Sequence, residues 1–170
     1  MNTRVILFSG IPASGKSTYA RWLARKGRCV HLDVEQEGVL ERVGLKLVWD
    51  SMFAPSGSVA SFLDALSQQG HTIVIDWGFP PRCLPVVAAL QRHGVEAWWL
   101  DGNRRAARQS FIQRGTVPIQ CFDKQMRAIR QGWSTIKAVF APHTISTVGR
   151  GPTYMPPEDV SKLIIESSII

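Results

Sequence analysis

The chain has 170 residues, 45% hydrophobic and 19% charged, with a mean hydropathy of −0.02; we expect one folded domain over residues 1–170 rather than a disordered or membrane-embedded chain. Three widely spaced cysteines exclude a CxxC zinc site or a disulfide framework, and Val5–Phe8, the longest apolar run near the start, is too short for a signal or membrane span. A cytoplasmic location is therefore expected. The net charge of +7 favours an anionic partner but does not distinguish nucleic acid, nucleotide and phosphorylated metabolite.

Short apolar runs alternate with helix-like stretches along the chain. The predicted strands are Arg4–Ser9, Cys29–Asp33, Thr72–Asp76, Glu96–Leu100 and Thr144–Val148. The predicted helices are Lys16–Lys26, Val59–Gln69, Pro85–His93, Asn103–Arg114, Phe122–Phe140 and Pro157–Ser167, and Leu45–Ser58 is predicted as a loop. Continuous apolar runs are typical of strands buried on both faces. The pattern therefore predicts an α/β fold, a five-stranded parallel sheet between two helical layers.

The first predicted strand leads into Gly10-Ile-Pro-Ala-Ser-Gly15-Lys16-Ser17-Thr18, a full match to the GxxxxGK[ST] pattern. Its glycines allow the backbone N–H groups to wrap around a phosphate, and the following helix directs its positive dipole end at the same anion. We expect Lys16 to reach the β- and γ-phosphates and the Ser17 hydroxyl to hold Mg²⁺. The predicted nucleotide-binding residues here are Gly10, Pro12, Ala13, Ser14, Gly15, Lys16, Ser17 and Thr18.

The rest of the chain narrows the kind of nucleotide-binding protein. A guanine-reading NKxD segment does not follow any late predicted strand, which favours adenine nucleotides. A length of 170 residues excludes a large motor or multidomain ATPase. A small phosphotransferase that uses ATP and Mg²⁺ is the interpretation that remains.

Two acidic residues follow predicted strands at the edge where doubly wound folds bind ligands. Asp33, in His31-Leu-Asp33-Val-Glu35, could accept the proton of an attacking hydroxyl, or be a helix cap or a solvated acid; Glu35 is interpreted as a surface acid. Asp76 ends an apolar strand, as in a Walker B segment that supports Mg²⁺, or faces the acceptor with Trp77 and Phe79 as a wall. Both aromatic residues also fit core packing.

Nearly all of the excess positive charge lies between Asp101 and Lys137. The eight basic residues there are Arg104, Arg105, Arg108, Arg114, Lys124, Arg127, Arg130 and Lys137, against the two acids Asp101 and Asp123. Two arginine-bearing helices joined by Gly115–Ile119 predict a helical lid over about residues 103–140 that could close on transferring phosphates. The alternative for any one arginine is a solvated helix surface.

On these residues the chain resembles P-loop kinases of the nucleoside-monophosphate-kinase-like group, the small kinases related to phage polynucleotide 5′-kinase, zeta toxins and gluconate kinases. The stretch Arg108-Gln-Ser-Phe-Ile-Gln-Arg114-Gly115-Thr-Val117-Pro118 is similar to their lid segment, with Arg114 the better match. The resemblance implies that Arg114 contacts the nucleotide phosphates and the transition state, and that Asp33 is the substrate-side general base. It also implies an adenine-contacting loop at Gly149–Pro152, which includes Arg150.

The predicted function is therefore transfer of the γ-phosphoryl group of ATP to a hydroxyl of a small molecule. Asp33, Asp76 and Trp77 are the candidate acceptor contacts, and Lys16, Asp33 and Arg114 the candidate catalytic residues. A polynucleotide 5′-hydroxyl acceptor is less favoured, because basic and aromatic residues are not interleaved outside the lid. A nucleotide-binding ATPase module without an acceptor is a third alternative. Sequence patterns leave the acceptor and the oligomeric state open.

Overall fold

A computed structural model describes residues 3–54, 56–147 and 154–166 of the chain. Its five strands are β1 (Arg4–Gly10), β2 (Val30–Asp33), β3 (Thr72–Asp76), β4 (Glu96–Asp101) and β5 (Thr144–Ser146). They form one parallel sheet in the order β2-β3-β1-β4-β5. The predicted five-stranded parallel α/β fold is confirmed, with every described strand within two residues of its predicted bounds; Val148 lies outside the described residues.

Nine α-helices are found among the described residues. They are α1 (Lys16–Arg25), α2 (Val39–Arg42), α3 (Lys46–Ser51), α4 (Val59–Ser67), α5 (Leu84–Arg92), α6 (Arg104–Arg114), α7 (Ile119–Gln131), α8 (Trp133–Phe140) and α9 (Pro157–Glu166). The prediction of a loop over Leu45–Ser58 is wrong at its start, because α3 forms there and buries Trp49. The long helix predicted over Phe122–Phe140 is divided at Gly132, a residue with low helix propensity.

Hydrophobic side chains cover both faces of the sheet, as the continuous apolar strands predicted. On one face Ile6, Phe8 and Val74 pack against Tyr19 and Leu23 of α1 and against α9. On the other face the larger cluster joins the sheet to helices α2 to α8. The fold therefore has three layers. Among the residues described, no helix is both long and apolar enough to cross a membrane.

The strand order determines where polar side chains meet. Asp33 at the end of β2 is in register with Asp76 at the end of β3, so the two residues lie side by side. β3 in turn pairs with β1, which leads into the glycine-rich loop. The carboxyl ends of these three strands therefore bring the loop and both acids to one edge of the sheet, the ligand-binding edge of doubly wound folds.

Candidate nucleotide-binding site

The loop between β1 and α1 has the backbone that an anion-binding loop requires. Gly10 and Gly15 have φ values of 150° and 93°, and Ala13 also has a positive φ of 59°. A Cβ at Gly10 would stand 2.1 Å from the carbonyl oxygen of Leu100, so β4 allows no side chain there. Gly15 caps α1 without a side-chain hydrogen bond, which leaves the first N–H groups of the helix for a ligand.

Lys16 stands at the start of α1, where its ammonium nitrogen donates a hydrogen bond to the carbonyl oxygen of Ile11 at 3.2 Å. Burial lowers the pKa of Lys16, and the negative charges of Asp76 and Glu35 oppose that shift. Arg114 lies near enough to lower the pKa of Lys16 further. Lys16 is thus within electrostatic range of the acids at the strand ends and of an arginine of α6.

Ser14 belongs to the same loop, and its side chain is buried. Its hydroxyl oxygen is inaccessible and has no hydrogen-bond partner among the described residues. A buried hydroxyl without a partner is costly, and a bound phosphate would supply one. Pro12 and Ser17 are half-buried in the loop and at the start of α1, whereas Thr18 is exposed.

Asp33, Asp76 and His31 form a cluster at the ends of β2 and β3. Asp76 is 2% exposed, and its Oδ2 atom lies 3.6 Å from Nε2 of His31. The half-buried Asp33 accepts a hydrogen bond from the Glu35 backbone N–H at 3.2 Å, so it forms a local turn rather than a helix cap. Desolvation raises the pKa of Asp33, and the neighbouring Asp76 raises it further. A carboxylate with a raised pKa is a better proton acceptor than a solvated one.

Glu35 was interpreted from the sequence as a surface acid, and the residue is indeed exposed. Its carboxylate nevertheless accepts a hydrogen bond at 3.0 Å from the backbone N–H of Gly78, just after β3. Desolvation raises the pKa of Glu35, against the opposing effects of this hydrogen bond and of Lys16. Glu35 lies two residues after Asp33 in the turn that follows β2, and no sequence pattern indicates its contact with Gly78.

Arg114 of α6 lines a cavity of about 260 Å³ together with Gly15, Thr18 and Tyr154. The Tyr154 hydroxyl donates a hydrogen bond to the carbonyl oxygen of Ala13 and lies 3.3 Å from the Ser110 hydroxyl. Tyr154 therefore connects the glycine-rich loop to α6, a role that no sequence motif indicated. Arg150, predicted in the adenine-contacting loop, lies outside the described residues.

Arg108 occupies a different environment from Arg114 on the same helix. Its guanidinium forms an ion pair with the carboxylate of Asp123 at 3.4 Å, which links α6 to α7. Both side chains of this pair are about half exposed. Arg108 therefore stabilises the packing of two helices of the predicted lid, whereas Arg114 faces the loop.

Trp77 is 6% exposed and belongs to the hydrophobic core. Its ring contacts Trp49 at 5.0 Å and Phe53 at 5.7 Å between centroids, and Phe79 at 5.1 Å. Phe53, at 42% exposure, is the accessible member of this aromatic group. Trp77 and Phe79 therefore have the surroundings expected of core residues. An acceptor would contact this aromatic group mainly through Phe53, its exposed member.

The residues proposed for Mg²⁺, Ser17 and Asp76, offer the oxygen donors that this ion prefers. Oδ2 of Asp76 is buried and has no hydrogen-bond partner among the described residues, so a cation would satisfy an otherwise unpaired charge. The chemistry of this donor set fits a magnesium ion.

No family model matches the chain, and no curated protein matches it by sequence. Solved structures match it over nearly its whole length. Shikimate kinase from Acinetobacter baumannii in complex with shikimate has a TM-score of 0.61 at 18% identity, covering 99% of this chain and 97% of the other. Shikimate kinase from Bacteroides thetaiotaomicron has a TM-score of 0.56 at 15% identity, over 98% and 99% of the two chains.

A gluconokinase from Sinorhizobium meliloti 1021 has a TM-score of 0.54 at 14% identity, covering 98% of this chain and 91% of the other. Because all three identities are below one fifth, the comparisons establish the fold rather than the reaction. The chain thus has the fold of small P-loop kinases, as the resemblance implied.

Proposed function

We propose that the protein is an ATP- and Mg²⁺-dependent kinase that transfers the γ-phosphoryl group to a hydroxyl of a small molecule. One observation carries the proposal: Lys16 lies within electrostatic range of three acids, Asp33, Glu35 and Asp76, at the ends of β2 and β3. A phosphate-binding loop beside a group of proton-accepting carboxylates is what transfer to a hydroxyl requires. The kinase names of the solved structures with this fold agree with it.

The loop and Lys16 would stabilise the negative charge that spreads over the transferring phosphoryl group. The free N–H groups at the start of α1 and the ammonium of Lys16 act on the same oxygens. Arg114 on α6, which lines the cavity beside the loop, adds a second positive charge. Mg²⁺, held by Ser17 and Asp76, would neutralise part of the phosphate charge when bound.

Asp33 would take the proton of the attacking hydroxyl, or hold that hydroxyl in line with the phosphoryl group. Its raised pKa suits the first role, and Glu35 stands two residues away with a carboxylate fixed by Gly78. The acceptor would therefore lie between the end of β2 and the Trp77–Phe79 segment. A small-molecule acceptor is favoured over a polynucleotide end, because basic and aromatic residues are not interleaved outside the lid.

The direct test measures ADP formation with a panel of hydroxyl-bearing acceptors, in the wild type and in Asp33→Ala. We expect Asp33→Ala to lower acceptor-dependent turnover by about a hundredfold or more while ATP affinity stays within about twofold. Asp64→Ala, which removes an exposed acid of α4, is the matched control and should leave turnover unchanged.

Two results would decide against parts of this proposal. Retained transfer in Asp33→Ala would exclude the general-base role. ADP formation that no acceptor stimulates would favour an ATPase module instead. A polynucleotide acceptor would be recognised by a KM that rises steeply with ionic strength, because several phosphate contacts are then broken.

A further inference from the structure

His31 is the one member of the strand-end cluster that the proposed reaction does not use. It stands two residues before Asp33 on β2, so both side chains point to the same face of the sheet, towards α1. Asp76 lies on the neighbouring strand in register with Asp33. One potential ligand atom from each of His31, Asp33 and Asp76 lies within 4.8 Å of the other two.

Two atoms of this cluster lack partners. Nε2 of His31 and Oδ2 of Asp76 are both inaccessible to solvent, and neither has a hydrogen-bond partner among the described residues. They face each other at 3.6 Å, too far for a direct hydrogen bond. Asp76 is 2% exposed, so its unpaired oxygen is a buried charge aimed into the cluster.

The charged groups of Lys16 and Glu35 nearby form hydrogen bonds elsewhere and do not pair with these two atoms. The Lys16 ammonium donates to the carbonyl oxygen of Ile11, and the Glu35 carboxylate is bonded to the N–H of Gly78. One imidazole nitrogen and two carboxylates, with a ligand atom from each within 4.8 Å of the other two, form a ligand set for a divalent metal ion.

We infer that His31, Asp33 and Asp76 form a binding site for a first-row transition-metal dication such as Mn²⁺, and that this site fills in the absence of nucleotide. Ligand atoms about 2.1 Å from an ion stand about 3 Å apart in cis positions and about 4 Å apart in trans positions. The 3.6 Å between His31 and Asp76 falls inside this range, and the most distant ligand atom needs only a small inward movement.

The imidazole separates this site from the magnesium site proposed on Ser17 and Asp76. Mg²⁺ prefers oxygen ligands, whereas Mn²⁺, Co²⁺ and Zn²⁺ accept a histidine nitrogen. Asp76 is shared between the two sets of ligands, but His31 and Asp33 are supplied by β2 and require no phosphate.

The open side of the cluster is a cavity of about 430 Å³ at the edge of β2. His31 and Asp33 line it together with Gln36 and two exposed arginines, Arg21 and Arg42. Water molecules in this cavity could complete the coordination shell. The arginine charges act through solvent and are weak beside direct ligation by two carboxylates.

The experiment uses the tag-free full chain, freed of metal with a chelator and titrated with Mn²⁺ alone. Continuous-wave electron paramagnetic resonance counts the bound ions, and pulsed measurements detect a ¹⁴N nucleus bonded to manganese. We expect one Mn²⁺ per chain with ¹⁴N coupling, and a weaker affinity for Mg²⁺ in competition. His31→Gln should lose the ¹⁴N signal and weaken Mn²⁺ binding about tenfold or more.

His93→Gln is the matched control, because His93 is an exposed histidine at the end of α5 and far from the cluster in the fold. It should bind Mn²⁺ as the wild type does. Equal Mn²⁺ affinity in the wild type and His31→Gln, or bound Mn²⁺ without ¹⁴N coupling in the wild type, would overturn the inference. The ¹⁴N readout decides even if His31→Gln fails to fold.

The inference does not depend on the proposed reaction, since neither ATP nor an acceptor enters the measurement. Nitrogen-coupled Mn²⁺ without any phosphoryl transfer would leave the metal site standing and remove the kinase. Acceptor phosphorylation with Mg²⁺ and no nitrogen-coupled Mn²⁺ would do the reverse.

Discussion

Nine consecutive residues, Gly10–Thr18, form the proposed nucleotide side of this site, whereas the proposed acceptor side is assembled from distant parts of the chain. Asp33 and Glu35 come from β2 and the turn after it, and Asp76 and Gly78 from β3 and the segment that follows it. The hydrogen bond between Gly78 and Glu35, for example, joins positions 43 residues apart. The nucleotide side is therefore encoded locally, and the acceptor side exists only once the sheet has formed.

This difference has a physical origin. A loop that presents successive backbone N–H groups needs glycines at fixed spacing and a helix to follow, so its sequence must be contiguous. Carboxylates that meet an acceptor need only strand ends that are neighbours in the sheet. The pairing of β2 with β3 supplies that neighbourhood without any sequence motif.

Lys16→Ala should have the largest effect, because it removes the positive charge nearest to the phosphates. We expect turnover to fall by about a thousandfold and ATP affinity to weaken with it. The measurements are ADP formation and calorimetric titration with ATP. Lys26→Ala, at the exposed end of α1, removes the same charge away from the loop and should change neither. Wild-type turnover in Lys16→Ala would show that the nucleotide side does not act through this motif.

Arg114→Ala should have the next largest effect, and it compares two arginines of one helix. Arg114 lines the cavity beside the loop, whereas Arg108 is paired with Asp123 at the surface. We expect Arg114→Ala to lower kcat by about a hundredfold with little change in stability. Arg108→Ala should leave kcat unchanged and cost at most about 1 kcal/mol in urea denaturation. Equal effects of the two variants would mean that the basic helix acts only through its overall charge.

Stability measured against pH gives a smaller effect that isolates the acceptor side. The pKa of Asp33 is raised by desolvation and by Asp76, so the folded chain binds a proton there more tightly than the unfolded chain does. The stabilising contribution of the protonated acid is present at low pH and is lost as pH rises through the raised pKa. At neutral pH the charged Asp33 therefore costs stability.

Asp33→Asn, measured with a metal chelator present, should raise Tm by about 2 °C at pH 7. The gain should shrink as pH is lowered towards the ordinary carboxyl pKa of about 4. Asp64→Asn, at an exposed position, serves as control and should show no such dependence. A lower Tm for Asp33→Asn at pH 7 would contradict the inference that the charged Asp33 destabilises the fold at neutral pH.

The two sides also differ in how far the sequence predicts them. Residue patterns predict the strand ending at Asp76, the loop with Gly10 and Gly15, and the start of α1 at Lys16. Each of these depends on neighbouring residues in the chain. The resemblance predicts that Arg114 contacts the phosphates, and the structure places it within electrostatic range of Lys16. These positions are fixed by local backbone requirements and by hydrophobic runs.

Other features depend on tertiary contacts that no sequence pattern predicts. Glu35 has the composition and context of a surface acid, and only the return of the chain at Gly78 gives its carboxylate a partner. The region predicted as a loop contains α3 because Trp49 finds Phe62 and Trp77 to pack against. Tyr154 reaches Ala13 across 141 positions of sequence, a contact that no local sequence pattern indicates.

In the proposed reaction, both sides act together on one phosphoryl group. This joint action is tested most directly by quantifying ADP and phosphorylated acceptor in the same reaction, over a panel of small hydroxyl compounds and a 5′-hydroxyl oligonucleotide. We expect a small compound to stimulate ADP formation, and ADP and phosphorylated product to appear in equal amounts. ADP formed at the same rate with and without every acceptor, with free phosphate as its partner, would contradict it.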